Sequence, residues 1–203
     1  LQLPADDRLT NRKEFSLLPN SGPEVLMASK AWKGKYFINK DATAQRFVSD
    51  AHRYRILHLS THGAADARAG DYSYLAFAPD SSGNGLLYVR DLYNLQLNAD
   101  LVTLSACETA AGEVQRGEGI ISLARAFAYA GAKSIVTTLW VVNDAAAKDI
   151  MEAFYKRLAQ KGTAKDRALH DAKMAMIDGK DDFRKHPFFW AAFIPLGDMA
   201  PLQ

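Results

Sequence analysis

Two side chains in this sequence combine a reactive type with a telling position: His62, in Ser60-Thr61-His62-Gly63, and Cys107, in Ser105-Ala106-Cys107-Glu108. Cys107 is the sole cysteine of the chain. A thiol with a pKa near 8.5 is only about 3% thiolate at neutral pH, so it needs a neighbouring base to attack an acyl carbon. An imidazole can take that proton and later give it to the leaving group. Gly63 can turn its backbone N–H toward a tetrahedral oxyanion, and the N–H of Cys107 supplies a second donor. A bland role for Cys107 stands beside this one, because free cysteine is among the most buried residue types and is commonly inert packing.

Both residues need elements that bring them together. Arg55-Ile56-Leu57-His58-Leu59-Ser60 is a β-favouring run ending at Thr61-His62-Gly63, and Leu101-Val102-Thr103-Leu104-Ser105 is another ending at Ala106-Cys107. Ser134 to Trp140 is a third such run, and Phe188 to Pro195 reads as a last apolar strand. Two weaker strand candidates, Phe15 to Leu18 and Tyr36 to Ile38, precede them. Between the runs lie helix-period segments. Pro23 opens one reaching about Trp32, Asp41 or Thr43 caps one carrying Phe47, and Ile120, Leu123, Phe127 define one closed by Gly131. Asn143 caps a helix with Ile150, Phe154 and Leu158 on one stripe, and Thr163 with Asp166 can cap another to about Ile177. Residues 64–85 read as a hairpin or long loop. Strands alternating with helices predict an α/β fold of three layers: a mostly parallel central sheet with helices on both faces. In such sheets ligands sit beyond the carboxyl ends of the strands, where His62 and Cys107 both fall.

Composition bounds the rest. The chain has 203 residues, 48% of them hydrophobic and 24% charged, which suits one globular domain and excludes a mostly disordered chain. A formal charge of +2 with no long basic run argues against a nucleic-acid role. No apolar run approaches the roughly 18 residues of a membrane span. One cysteine excludes an internal disulfide and a multi-cysteine zinc site, so neither metal nor cofactor is expected. Residues 1–14 are polar and aperiodic and read as a linker or the tail of a preceding region, with the domain proper at 15–203. Leu1 without a signal segment points to a piece of a longer cytoplasmic protein. Among the other histidines, His58 reads as a packed core residue, and His170 and His186 as structural.

A set of motifs then falls in a recognisable order. His58-Leu59-Ser60-Thr61-His62-Gly63, Leu104-Ser105-Ala106-Cys107-Glu108-Thr109 and Gly117-Glu118-Gly119 resemble the CHAT domains, as do Ala124-Arg125-Ala126-Phe127, Leu139-Trp140 with Asp144, and His186-Pro187-Phe188-Phe189-Trp190. The resemblance runs from about Leu18 to Gly197. CHAT domains are caspase-like peptidases commonly joined to tetratricopeptide repeats and related to separases, caspases and gingipains. A histidine some 50 residues ahead of the cysteine is also the caspase arrangement.

The resemblance implies a caspase-like sandwich and a cysteine endopeptidase, with His62 as general base, Cys107 as nucleophile, and the Gly63 and Cys107 amides as oxyanion hole. It implies a polypeptide substrate pairing with Thr138, Leu139 and Trp140, and a tetratricopeptide-repeat region in the same full-length chain. Asp144 and Glu108 could favour a basic P1 residue. Asp144 can equally be a helix-start acid and Glu108 a solvated loop acid. The rival functions are a catalytically silent module of the same fold and a thiol enzyme acting on a non-peptide acyl group.

Overall fold

Short β-branched and leucine-rich runs separated by amphipathic helices form a sheet clad on both faces. A computed structural model describes residues 18–64, 70–81, 83–105 and 118–202. From the amino end the elements are α1 (Ser21–Trp32), α2 (Ala44–Asp50), β1 (Ile56–Leu59), β2 (Gly63–Ala64), β3 (Tyr74–Ala76), β4 (Leu86–Tyr88), α3 (Val89–Leu92), β5 (Leu101–Leu104), α4 (Glu118–Tyr129), β6 (Ser134–Thr138), α5 (Asp144–Leu158), α6 (Lys165–Ile177) and β7 (Phe193–Gly197).

The main sheet has the order β1-β5-β6-β7, parallel across the first three strands and antiparallel at β7. A small antiparallel sheet, β2-β3-β4, stands beside it and accounts for the hairpin expected after Ala64. Side chains alternate across the main sheet as the two-residue strand period requires. Leu57, Val102, Leu104 and Ile135 pack with Leu123 and Phe127 of α4 on one face. Leu101, Val136 and Phe193 pack with Ile150, Met151 and Phe154 of α5 and Leu169 of α6 on the other. The three-layer α/β expectation is therefore met.

Local chemistry sets the helix ends. Thr43 Oγ1 accepts from the Arg46 amide at the start of α2, and Asn143 Oδ1 accepts from the Ala146 amide at the start of α5. Gly131 follows α4 with φ +110°, and a Cβ there would sit 2.4 Å from the Leu97 carbonyl oxygen, so glycine is required. The start of α6 departs from the sequence expectation. Its N-cap is Ala164, without a side-chain cap. The Lys165 amide instead donates to the Met199 carbonyl, and the buried Lys165 Nζ donates to the carbonyls of Asp198 and Ala200 at 2.9 and 2.8 Å. Burial holds this ammonium below its usual pKa, against the opposing pull of Asp198.

Two strand expectations also shift. Tyr36 to Ile38 joins no sheet among the described residues. The 188–195 run is split: Pro187–Phe189 forms a short 3-10 turn capped by His186, whose Nδ1 accepts from the Phe188 amide, and β7 begins only at Phe193. Proline at the first helical position favours that turn. Of the Phe15 to Leu18 run, residues 15–17 lie outside the described residues. No helix among those described is long and apolar enough to cross a membrane.

Candidate active site

β1 and β5 are adjacent and parallel, so the chain leaves both strands at the same edge of the sheet. Leu59 pairs with Leu104, an offset of 45 residues. His62 and Cys107 are separated by the same 45 residues, each three positions beyond its strand's paired end. Cys107 and Glu108 themselves lie outside the described residues.

The backbone on either side of His62 is fixed by the small sheet. Its carbonyl accepts from the Ala76 amide at 2.8 Å, the Thr61 hydroxyl donates to the Ala76 carbonyl, and the His62 side chain is buried. Gly63 pairs with Leu75 across β2 and β3. Antiparallel ladders alternate bonded and non-bonded pairs, and the bond between Ala76 and His62 makes Gly63 and Leu75 the non-bonded pair. The Gly63 N–H therefore faces away from β3.

The far side of the edge is the end of β6. Thr138 pairs with Phe193, the Leu139 amide donates to the Ala192 carbonyl at 2.9 Å, and the Trp140 indole donates to the Phe188 carbonyl at 3.0 Å. β7 thus occupies one side of the β6 backbone. Asp144, in the first turn of α5, accepts through Oδ2 from both the amide and the side-chain Nδ2 of Asn20, at 2.8 and 2.7 Å. Its buried Oδ1 has no hydrogen-bond partner among the described residues, nor do the buried hydroxyls of Ser105, Thr137 and Thr138. These hydroxyls fall at the ends of β5 and β6, and continuing the Thr103–Val136 register sets Ser105 opposite Thr138. Sequence reasoning passed over Ser105 and Thr137. A hydroxyl closing an apolar strand run at the sheet's carboxyl edge was the available signal.

A second polar group lies beneath the edge, on the α5 face. His58 Nδ1 is 3.0 Å from the Tyr155 hydroxyl, which donates to Thr103 Oγ1 at 3.0 Å. His58 Nε2 lies 2.9 Å from Glu24 Oε1. Ser60 Oγ donates to Glu24 Oε2 at 3.3 Å. Burial pushes the Tyr155 hydroxyl well above its usual pKa, the Thr103 bond opposing and the Glu24 charge adding, so Tyr155 stays a neutral donor. This chain ties α1 and α5 to the strand that leads to His62. Glu24 was not singled out from sequence. Among the described residues no three or more His, Cys, Asp or Glu side chains converge to hold a metal ion.

Tetratricopeptide repeat protein 28 of Homo sapiens is 37% identical over 92% of this chain, and that of Mus musculus is 27% identical over 92%. The chain spans only 9% of each of these relatives. Among solved structures, the Arg specific cysteine proteinase gingipain R shares the fold over 90% of this chain and 42% of its own, with a TM-score of 0.59 and 11% identity. The CHAT domain family model matches residues 2–198, so the chain belongs to the CHAT domain family.

Proposed function

We propose that this domain is a cysteine endopeptidase working through a His62–Cys107 dyad. The observation that carries the reading is the shared offset of 45 residues. The register of two neighbouring parallel strands and the separation of the two reactive residues are the same number, so in sequence each follows its paired strand end by the same three positions. The shared fold with a cysteine proteinase supports it.

In the reaction His62 takes the Cys107 thiol proton as Sγ bonds to the scissile carbonyl carbon. The oxyanion lies against the amides of Gly63 and Cys107. The imidazolium then protonates the departing amine, the C–N bond breaks, and a thioester remains. Water, deprotonated by His62, hydrolyses the thioester and restores the thiol. The substrate backbone lies along Thr138 to Trp140. The Asp144 Oδ1 and Glu108 carboxylates favour a basic P1 residue, in keeping with the Arg specific gingipain. In the full-length protein a tetratricopeptide-repeat region recruits the substrate or controls access.

The test exposes the protein to a proteome-derived peptide library and reads new termini by mass spectrometry, with Cys107→Ala and His62→Ala as controls. Cuts after Arg or Lys that vanish in both variants are the expected result. If the full-length protein also makes no cysteine-dependent cut, the domain is a silent module or acts on another acyl group.

A further inference from the structure

The chain crosses from the main sheet to the small one in three residues, Ser60, Thr61 and His62, between β1 and β2. Anchors hold it on either side of the crossing. The Leu59 carbonyl accepts from the Ser105 amide at 3.0 Å, on the β5 side. The Thr61 hydroxyl donates to the Ala76 carbonyl, and the His62 carbonyl accepts from the Ala76 amide, on the β3 side. The Ser60 side chain is joined to neither sheet among the described residues. Its hydroxyl donates to Glu24 Oε2 of α1 instead, at 3.3 Å.

The surroundings of Glu24 fit it for holding that contact. It is fully buried, and a buried carboxylate is tolerated only where polar groups meet it. Among the described residues those groups are Ser60 and His58, whose Nε2 lies 2.9 Å from Oε1. The His58 ring is fixed in turn: Nδ1 is 3.0 Å from the Tyr155 hydroxyl, and the two rings meet edge-on. One oxygen of Glu24 is thus set against His58, and the other faces Ser60. The helix that carries Glu24 is pinned one turn earlier. Asn20 donates its amide and its side-chain Nδ2 to Asp144 Oδ2 of α5, and the Glu24 amide donates to the Asn20 carbonyl at 2.9 Å.

We propose that Glu24 is a positioning residue for His62, acting through Ser60. This role rests on the reading of His62 and Cys107 as a catalytic dyad and deepens it. Ala76 fixes Thr61 and His62 to β3, in the small sheet, and not to the main sheet. The contact from Ser60 to Glu24 refers the segment to α1, and so to the helix layer against the main sheet. A general base works only within hydrogen-bond reach of the proton it takes. A small displacement of this segment therefore costs rate while leaving substrate binding nearly intact.

Ser60→Ala and Ser60→Thr test this, because they remove or keep the hydroxyl without altering Glu24 or His58. The first readout is the His62 imidazole in NMR spectra of the whole chain, identified among the five histidines by its loss in His62→Ala. Its signals should move in Ser60→Ala and in Glu24→Ala, and stay near their wild-type positions in Ser60→Thr. The second readout is turnover of a peptide cut in the library experiment. There kcat should fall about 10–100-fold in Ser60→Ala at little-changed KM, and recover in Ser60→Thr. A loss of thermal stability alone, with the His62 signals and kcat as in the wild type, would overturn the proposal. Equal effects of Ser60→Ala and Ser60→Thr would overturn it too, since the hydroxyl would then not be the agent. If the wild type cleaves nothing, the peptidase reading fails by itself, and the His62 signals still decide whether Glu24 places that ring. If Glu24→Ala does not fold, the two Ser60 variants decide alone.

Discussion

The two faces of the central sheet are built from the same strands but on different terms. The α4 face is closed mainly by aliphatic side chains and the rings of Phe127, Phe47 and Phe77, whereas the α5 face sets Glu24, His58, Thr103 and Tyr155 in a linked polar group within its apolar layer. Apolar burial is non-directional, and it tolerates small shifts of one layer over another. A hydrogen-bonded chain is directional, and a misplaced partner leaves a buried polar group unsatisfied. The difference teaches that both faces supply apolar cohesion, while the second also fixes α1 and α5 against β1, the strand that leads to His62.

The comparison sharpens most under a volume change. Phe127→Ala, at a fully buried site, should cost about 3–5 kcal/mol in denaturant unfolding while leaving the local environment of His62 unaltered. On the opposite face Tyr155→Phe keeps the ring and removes one hydroxyl, which leaves His58 Nδ1 and Thr103 Oγ1 without it. A loss of about 1–3 kcal/mol is expected, together with chemical-shift changes in the His58 and His62 imidazoles. A neutral or stabilising Tyr155→Phe would break the contrast between the faces.

At the opposite edge of the sheet, burial raises the Asp100 carboxyl, but hydrogen bonds from Lys133 and Arg55 outweigh it and hold the group below its usual pKa. A lowered folded-state pKa contributes stability above the unfolded value of 3.8 that is lost as pH falls through the folded one. Both cations are more than half exposed, so the effect stays below about 1 kcal/mol. The stability gap between wild type and Asp100→Asn should hold steady above pH ~5 and close below pH ~4. The smallest effect belongs to Thr43→Ala, an exposed cap away from both faces, at about 0.5–1 kcal/mol in thermal unfolding.

Much of this organisation is legible in the chain. Apolar runs at Ile56, Leu101 and Ser134 declare the parallel strands, and Asn143, Thr43 and Gly131 mark helix ends through local chemistry that needs no tertiary context. What escaped depends on distant partners. Thr163 suggested a cap by its neighbours alone, but the start of α6 is fixed by carbonyls more than thirty residues away. Glu24 is one of 23 acids, and only its contacts with His58 and Ser60 set it apart. Tyr36–Ile38 has strand composition without a strand partner among the described residues. Of the candidate site, the spacing of His62 and Cys107 was visible from the start, whereas the register that gives this number its meaning belongs to the fold.

The buried Lys165 has a practical consequence. Its ammonium is satisfied only by carbonyls that lie beyond β7, at Asp198 and Ala200. A version trimmed at Gly197 would keep every strand and helix, yet it would leave a desolvated cation with no acceptor. The carboxyl limit of the smallest self-sufficient unit is therefore set by that latch and not by the last strand. Fusions, grafts and shortened forms should be joined after Ala200.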